Sequence, residues 1–178
     1  MKYNPDIHYR RSIRLQGYNY NQAGAYFITI CTQNRECLFG DIQDGNHLLN
    51  EFSKIVIDVW QNIPIHFQNI GIDAYVVMPN HFHGIIIIEK STEASTAKKR
   101  TWNEPKSMLA KVIAYFKYTT TKSINTARQT AGVRVWQRNY YEHIIRSENS
   151  LNRLREYIAN NPQQWEIDQL HPRNPSKW

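Results

Sequence analysis

The order of patterned segments along the 178 residues predicts an α+β fold: four strands and two helices alternating as βαββαβ, with one more helix added at the end. Two observations carry this. Short β-branched and aromatic runs stand at residues 24–32, 70–78, 81–89 and 133–146, and between and after them apolar residues recur at three- and four-residue steps. A third observation bounds the class: no apolar run approaches the roughly 18 residues that would span a bilayer, so one soluble domain is expected, with no membrane partner.

Residues 1–22 read as a basic arm carrying Arg10, Arg11 and Arg14; they lack the apolar core and small-residue cleavage site of a secretory signal. GAYFITICT at 24–32 opens on a glycine and reads as the first strand, followed by the turn-rich stretch GDIQDGN. Leu49, Phe52, Val56, Val59, Trp60, Ile63 and Phe67 then mark one face of a helix that Pro64 ends or kinks. IGIDAYVVM and HFHGIIIIE, separated by Pro79 and Asn80, read as a hairpin whose isoleucine run suits a central strand covered on both faces.

Residues 90–103 are small, polar and charged, a surface loop. A second helix starts at Asn103, Glu104 and Pro105 and turns Leu109, Val112, Ile113 and Phe116 inward. After the break at 130–132, VRVWQRNYYEHIIR reads as the fourth strand. A last helix starts near Ser147, points Leu151, Leu154 and Ile158 inward, and stops at Asn160, Asn161 and Pro162. Residues 23–165 thus form the domain, in the ferredoxin-like βαββαβ order of a sandwich with helices on one sheet face and the other free for a site, and 166–178 read as an irregular tail.

Lysine and arginine outnumber the acids by 22 to 15, and the excess is concentrated. Residues 90–122 hold eight basic side chains (Lys90, Lys98, Lys99, Arg100, Lys106, Lys111, Lys117, Lys122) against Glu93 and Glu104. Such a patch attracts a phosphate backbone through counterion release without reading sequence, although a solvated basic face has the same composition. Lys106, Lys111, Lys117, Lys122 and Arg138 are the candidate phosphate contacts, with Arg10, Arg11 and Arg14 on the arm. Cys31 and Cys37 form neither a disulfide framework nor a paired zinc motif, so reduced thiols and a cytoplasmic location are expected.

His81 and His83 are two apart on a strand, so both imidazoles leave the same face and can grip one ion, while Phe82 points into the helix layer. Tyr157 and Asn161 are four apart, one turn of the last helix, which lets the phenol overhang the face that bears the histidines. Each feature alone also suits a structural role: hydrogen-bonded histidines, a packed tyrosine, a helix-end asparagine.

Taken together, PNHFHGIII, the lysine-bearing helix SMLAKVIAYFKYTTTKSIN, WQRNYYEHIIRS and LNRLREYIANNP resemble the REP-associated tyrosine transposases of the single-tyrosine HUH superfamily. The resemblance runs from YFITICTQNR at 26–35 through the asparagine-proline end of the last helix. It implies that His81 and His83 are the metal-binding histidine pair, that Tyr157 is the catalytic nucleophile, and that Asn161 is the third protein ligand where some relatives carry glutamine. It further implies Mg2+ or Mn2+, a substrate of single-stranded or hairpin DNA, a 5′-phosphotyrosine intermediate, and a homodimer or a monomer. Tyr141 is the second choice of nucleophile; Tyr140, Tyr115 and Tyr118 also lack a ligand partner four residues on. Two other readings remain at this point: a hairpin-binding protein without cleavage, and a metal hydrolase using a water nucleophile with Asp73, Glu89 or Glu142 as base.

Overall fold

Gly24–Cys31 forms strand β1 in the computed structural model, which describes residues 22–90 and 107–174. The stretch expected to be turns holds a small hairpin, β2 (Gly40–Gln43) and β3 (Asn46–Leu49). Its two-residue loop has Asp44 at φ 51° and Gly45 at φ 74°, both left-handed, as a tight hairpin of right-handed twist requires.

Asn50 caps α1 (Glu51–Gln61), its side chain accepting from the Phe52 and Ser53 amides at 3.0 Å each. The single helix expected to reach Phe67 is divided: the chain breaks at Asn62 and resumes as α2 (Ile63–His66), with Pro64 in its first turn, where a missing N–H costs nothing. Strands β4 (Ile70–Met78) and β5 (His81–Ile88) pair as the expected hairpin around Pro79 and Asn80, with a bulge between Ile72 and Tyr75.

α3 (Met108–Ala127) is capped by Ser107, whose hydroxyl accepts from the Ala110 amide; the start expected at 103–105 lies outside the described residues. The fourth strand is shorter than its composition suggests. Only Tyr141–Ile145 pairs with β1, as β6, and Trp136 makes a lone bridge to Thr32. The intervening segment is pulled off the ladder: the Trp136 indole donates to Thr120 on α3 at 2.8 Å, and the Lys117 ammonium collects the carbonyls of Gln137, Arg138 and Asn139. α4 (Glu148–Asn160) begins at Ser147, which accepts from the Ser150 amide. Beyond it, Pro162–Ile167 winds as a 3₁₀ helix, and Leu170 and His171 are buried, so this segment packs onto the domain.

The sheet order is β4-β5-β1-β6, antiparallel throughout, which is the ferredoxin-like arrangement. Period-two alternation sorts its two faces. Tyr26, Ile28, Ile30, Phe82 and Ile86 join α1 and α3 in the main core, each large side chain adding roughly 1.5–3 kcal/mol by leaving water. Gly84 sits under Trp60: a Cβ there would stand 2.6 Å from the indole ring. On the opposite face Phe27 and Ile85 meet Ile158, Leu151 and Leu154 of α4, which covers part of the sheet and leaves the rest for a site.

Candidate active site

The alternation that buries Phe82 and Ile86 under the helices turns His81 and His83 to the α4 face. The Asn80 side chain orients His81. Its Nδ2 donates to the Leu170 carbonyl at 2.7 Å, which fixes Oδ1 as the acceptor that His81 Nδ1–H meets at 2.8 Å. Nε2 of His81 is therefore the bare nitrogen, and it is buried with no hydrogen-bond partner. His83 pairs through Nδ1 with the Thr29 hydroxyl at 2.8 Å and stacks on Phe27, ring centroids 5.2 Å apart. Burial pushes the His83 pKa down to about 3; burial and then the neighbouring His83 hold His81 well below its ordinary value. Both rings are neutral near pH 7, the form that ligates metals.

α4 brings the phenol to this pair. Arg155 grips Asp73 of β4 with two hydrogen bonds, 2.9 and 2.7 Å, fastening the helix to the sheet two residues before Tyr157. The Tyr157 hydroxyl stands 3.3 Å from His83 Nε2, its ring edge-on to both His83 and Phe27. The side chain is 39% exposed, so a substrate can reach it. Burial, then the Asp168 carboxylate, raises its pKa above the usual tyrosine range; the Asn161 amide pulls the other way. The resting phenol is neutral.

Asn161 is buried one turn on, and its Oδ1 has no hydrogen-bond partner. Asp168, which sequence reasoning did not single out, arrives from beyond the 3₁₀ helix. Its carboxylate and the two imidazoles present ligand atoms all within 4.8 Å of one another, a group that can hold a metal. Burial chiefly raises the Asp168 pKa, opposed by the Leu170 amide, the Asn161 amide and His171. A divalent ion suits these residues: an orphaned buried nitrogen or oxygen costs about 1–3 kcal/mol, and His81 Nε2 and Asn161 Oδ1 are two such atoms of ligand type.

No family model matches the chain. An uncharacterised protein of Haemophilus influenzae is 44% identical over 178 residues, covering 96% of this chain and 97% of its own length. The chain belongs to the family of that protein. Among solved structures, a REP-associated tyrosine transposase bound to a REP hairpin superposes with a TM-score of 0.57 at 18% identity, covering 87% of this chain and 74% of the other. The two share a fold.

The other expected site residues of this family member are scattered. Lys111 and Lys122 are exposed on α3, behind the sheet. Lys117 differs from expectation: its ammonium serves main-chain carbonyls, and burial lowers its pKa to about 8, so it braces the loop at 137–139. Arg138 is exposed on that loop, whose Gln137 amide bonds to Cys31 at the site end of β1. Arg10, Arg11, Arg14 and Lys106 lie outside the described residues, as does the loop at 91–103. Tyr141 sits on β6 opposite Thr29, one strand further from His83 than Thr29 itself. None of the carboxylates expected as a base joins the histidines: Asp73 is paired with Arg155, Glu89 is exposed past the end of β5, and Glu142 faces the helix layer opposite Ile28. Among the described residues, no helix is long and apolar enough to cross a membrane.

Proposed function

We propose that the chain nicks single-stranded DNA at hairpin sites and transfers the cut strand, with Tyr157 as nucleophile and a 5′-phosphotyrosine intermediate. The observation that carries this reading is the Tyr157 hydroxyl held 3.3 Å from Nε2 of a neutral, buried histidine whose neighbour, His81, offers an unpartnered ring nitrogen. The shared fold of a hairpin-bound transposase supports DNA as the substrate class.

His81, His83 and Asn161 would hold Mg2+ or Mn2+, which when bound supplies Lewis-acid polarisation of the scissile phosphate. The chain's own residues do the rest. The clamp between Arg155 and Asp73 fixes the helix that aims the phenol, and Phe27 packs against its ring, which stands edge-on to His83. The phenolic oxygen forms a bond to phosphorus and gives up its proton. The bond from phosphorus to the 3′ oxygen breaks, and that oxygen takes up a proton. A later 3′ hydroxyl reverses the exchange, so strand joining consumes no nucleotide. All four side chains meet within one chain. Exposed Arg138, Lys111 and Lys122, with the basic arm and Lys106, are the proposed contacts to the DNA backbone, and action on DNA in the cytoplasm follows.

Wild type and Tyr157→Phe are incubated with labelled hairpin-tailed single-stranded DNA and Mn2+, then run on a denaturing gel. A protein-bound band in wild type alone is expected. A band that persists in Tyr157→Phe overturns the choice of nucleophile, and hairpin binding with no band in wild type replaces cleavage with binding alone.

A further inference from the structure

We infer that Asp168 is a fourth protein ligand, completing with His81, His83 and Asn161 a mixed nitrogen and oxygen site for one divalent ion of the manganese type; this rests on the metal-dependent reading above. The distances come first. The ligand atoms of Asp168 and both histidines lie within 4.8 Å of one another. Donors bound to one ion at roughly 2.0–2.2 Å stand at most about 4–4.5 Å apart, so these three groups are near enough to share one ion once their side chains close around it.

The surroundings hold Asp168 in place. Its carboxylate accepts from the Leu170 amide at 2.6 Å, and its main-chain carbonyl accepts from the Asn174 side chain at 2.7 Å and from the His171 amide at 3.0 Å. The Leu170 carbonyl accepts in turn from Asn80 Nδ2, and Asn80 Oδ1 takes the His81 proton. One asparagine therefore couples the turn that carries Asp168 to the ring with which it would share an ion. Trp165 closes the far side, its ring 6.1 Å from His81 and 4.6 Å from His171. Two buried ligand-type atoms without partners, His81 Nε2 and Asn161 Oδ1, face the same need for a cation.

The donor chemistry narrows the ion. Two imidazoles, an amide oxygen and one carboxylate form a set of borderline character, with one negative charge against two positive. Mg2+ keeps its waters and favours oxygen ligands, whereas Mn2+ accepts imidazole more readily. An ion so bound would also tie the segment after α4 down onto the sheet.

Calorimetric titration of the metal-free full chain with MnCl2 tests this in wild type, Asp168→Asn and His83→Gln. One ion per wild-type chain is expected, bound at least ~10-fold more weakly by Asp168→Asn, with metal-free melting of that variant near wild type. Equal affinity in wild type and Asp168→Asn, with binding lost in His83→Gln, overturns Asp168 and leaves the histidine site standing. No binding by wild type overturns both. If Asp168→Asn does not fold, Mn2+-loaded wild type labelled with 13C-carboxyl aspartate is examined by electron–nuclear double resonance. A 13C coupling of a directly bonded carboxylate supports the assignment, and its absence overturns it.

Discussion

Acid should destabilise the metal-free protein through His83 more than through any ordinary surface histidine. Its folded pKa is about 3 against 6.5 for the free side chain, because the ring is buried between Phe27, Thr29 and Tyr157. Between those two values the unfolded chain binds a proton that the folded chain does not, so stability is present above pH 6.5 and falls as pH drops below it. From pH 7 to pH 5 the unfolded imidazole goes from about one-quarter to nearly fully protonated, which at about 1.36 kcal/mol per pKa unit costs about 2 kcal/mol. His81, also depressed by burial, acts in the same direction. Urea unfolding in EDTA at pH 7 and pH 5, for wild type and His83→Gln, reads the effect of His83 together with the part of the His81 shift that His83 causes. Wild type should lose about 2 kcal/mol more than the variant, a sizeable share of the 5–15 kcal/mol typical of a domain. Equal losses would refute the claim that this ring is buried and neutral.

Gly84→Ala should lower stability by roughly 1–3 kcal/mol, measurable by calorimetry, because the added methyl meets the Trp60 ring at 2.6 Å; an unchanged melting temperature counts against that packing. Arg155→Ala should slow adduct formation on the hairpin DNA with little change in melting temperature, and Arg155→Lys should recover only part of the rate, since an ammonium cannot reproduce the two-point grip on Asp73. Lys117→Met should leave the salt dependence of DNA binding unchanged while making the loop at 137–139 more readily cut by protease; a shallower salt slope would return Lys117 to the phosphate contacts.

Much of the site frame was legible because it follows from short periods. Alternation along β5 puts His81 and His83 on one face, and a four-residue step puts Tyr157 and Asn161 on one side of α4. Asp168 was not, since it lies past Pro162 in a segment without periodicity. Its position is set by the 3₁₀ winding and by the hydrogen bond from Asn80 to Leu170, contacts that no local pattern encodes. Asn80 itself reads as a turn residue, and only the folded chain reveals that it also orients His81. The hairpin of β2 and β3 had its signal in Asp44 and Gly45, but its four-residue arms, GDIQ and NHLL, are too short and too polar to alternate clearly. In 133–146 the error runs the other way: strand-like composition is present, and the Trp136 indole and Lys117 ammonium draw that backbone toward α3.

The grip of Arg155 on Asp73 also bears on stoichiometry. It seats α4 against the sheet of its own chain, so the Tyr157 phenol and the imidazoles of His81 and His83 that meet at the site belong to one molecule. On the proposed chemistry, an event that requires two cuts must be carried out in succession by one molecule or divided between two that meet on the same DNA. The spacing of hairpins along that DNA would then bear on how many molecules take part.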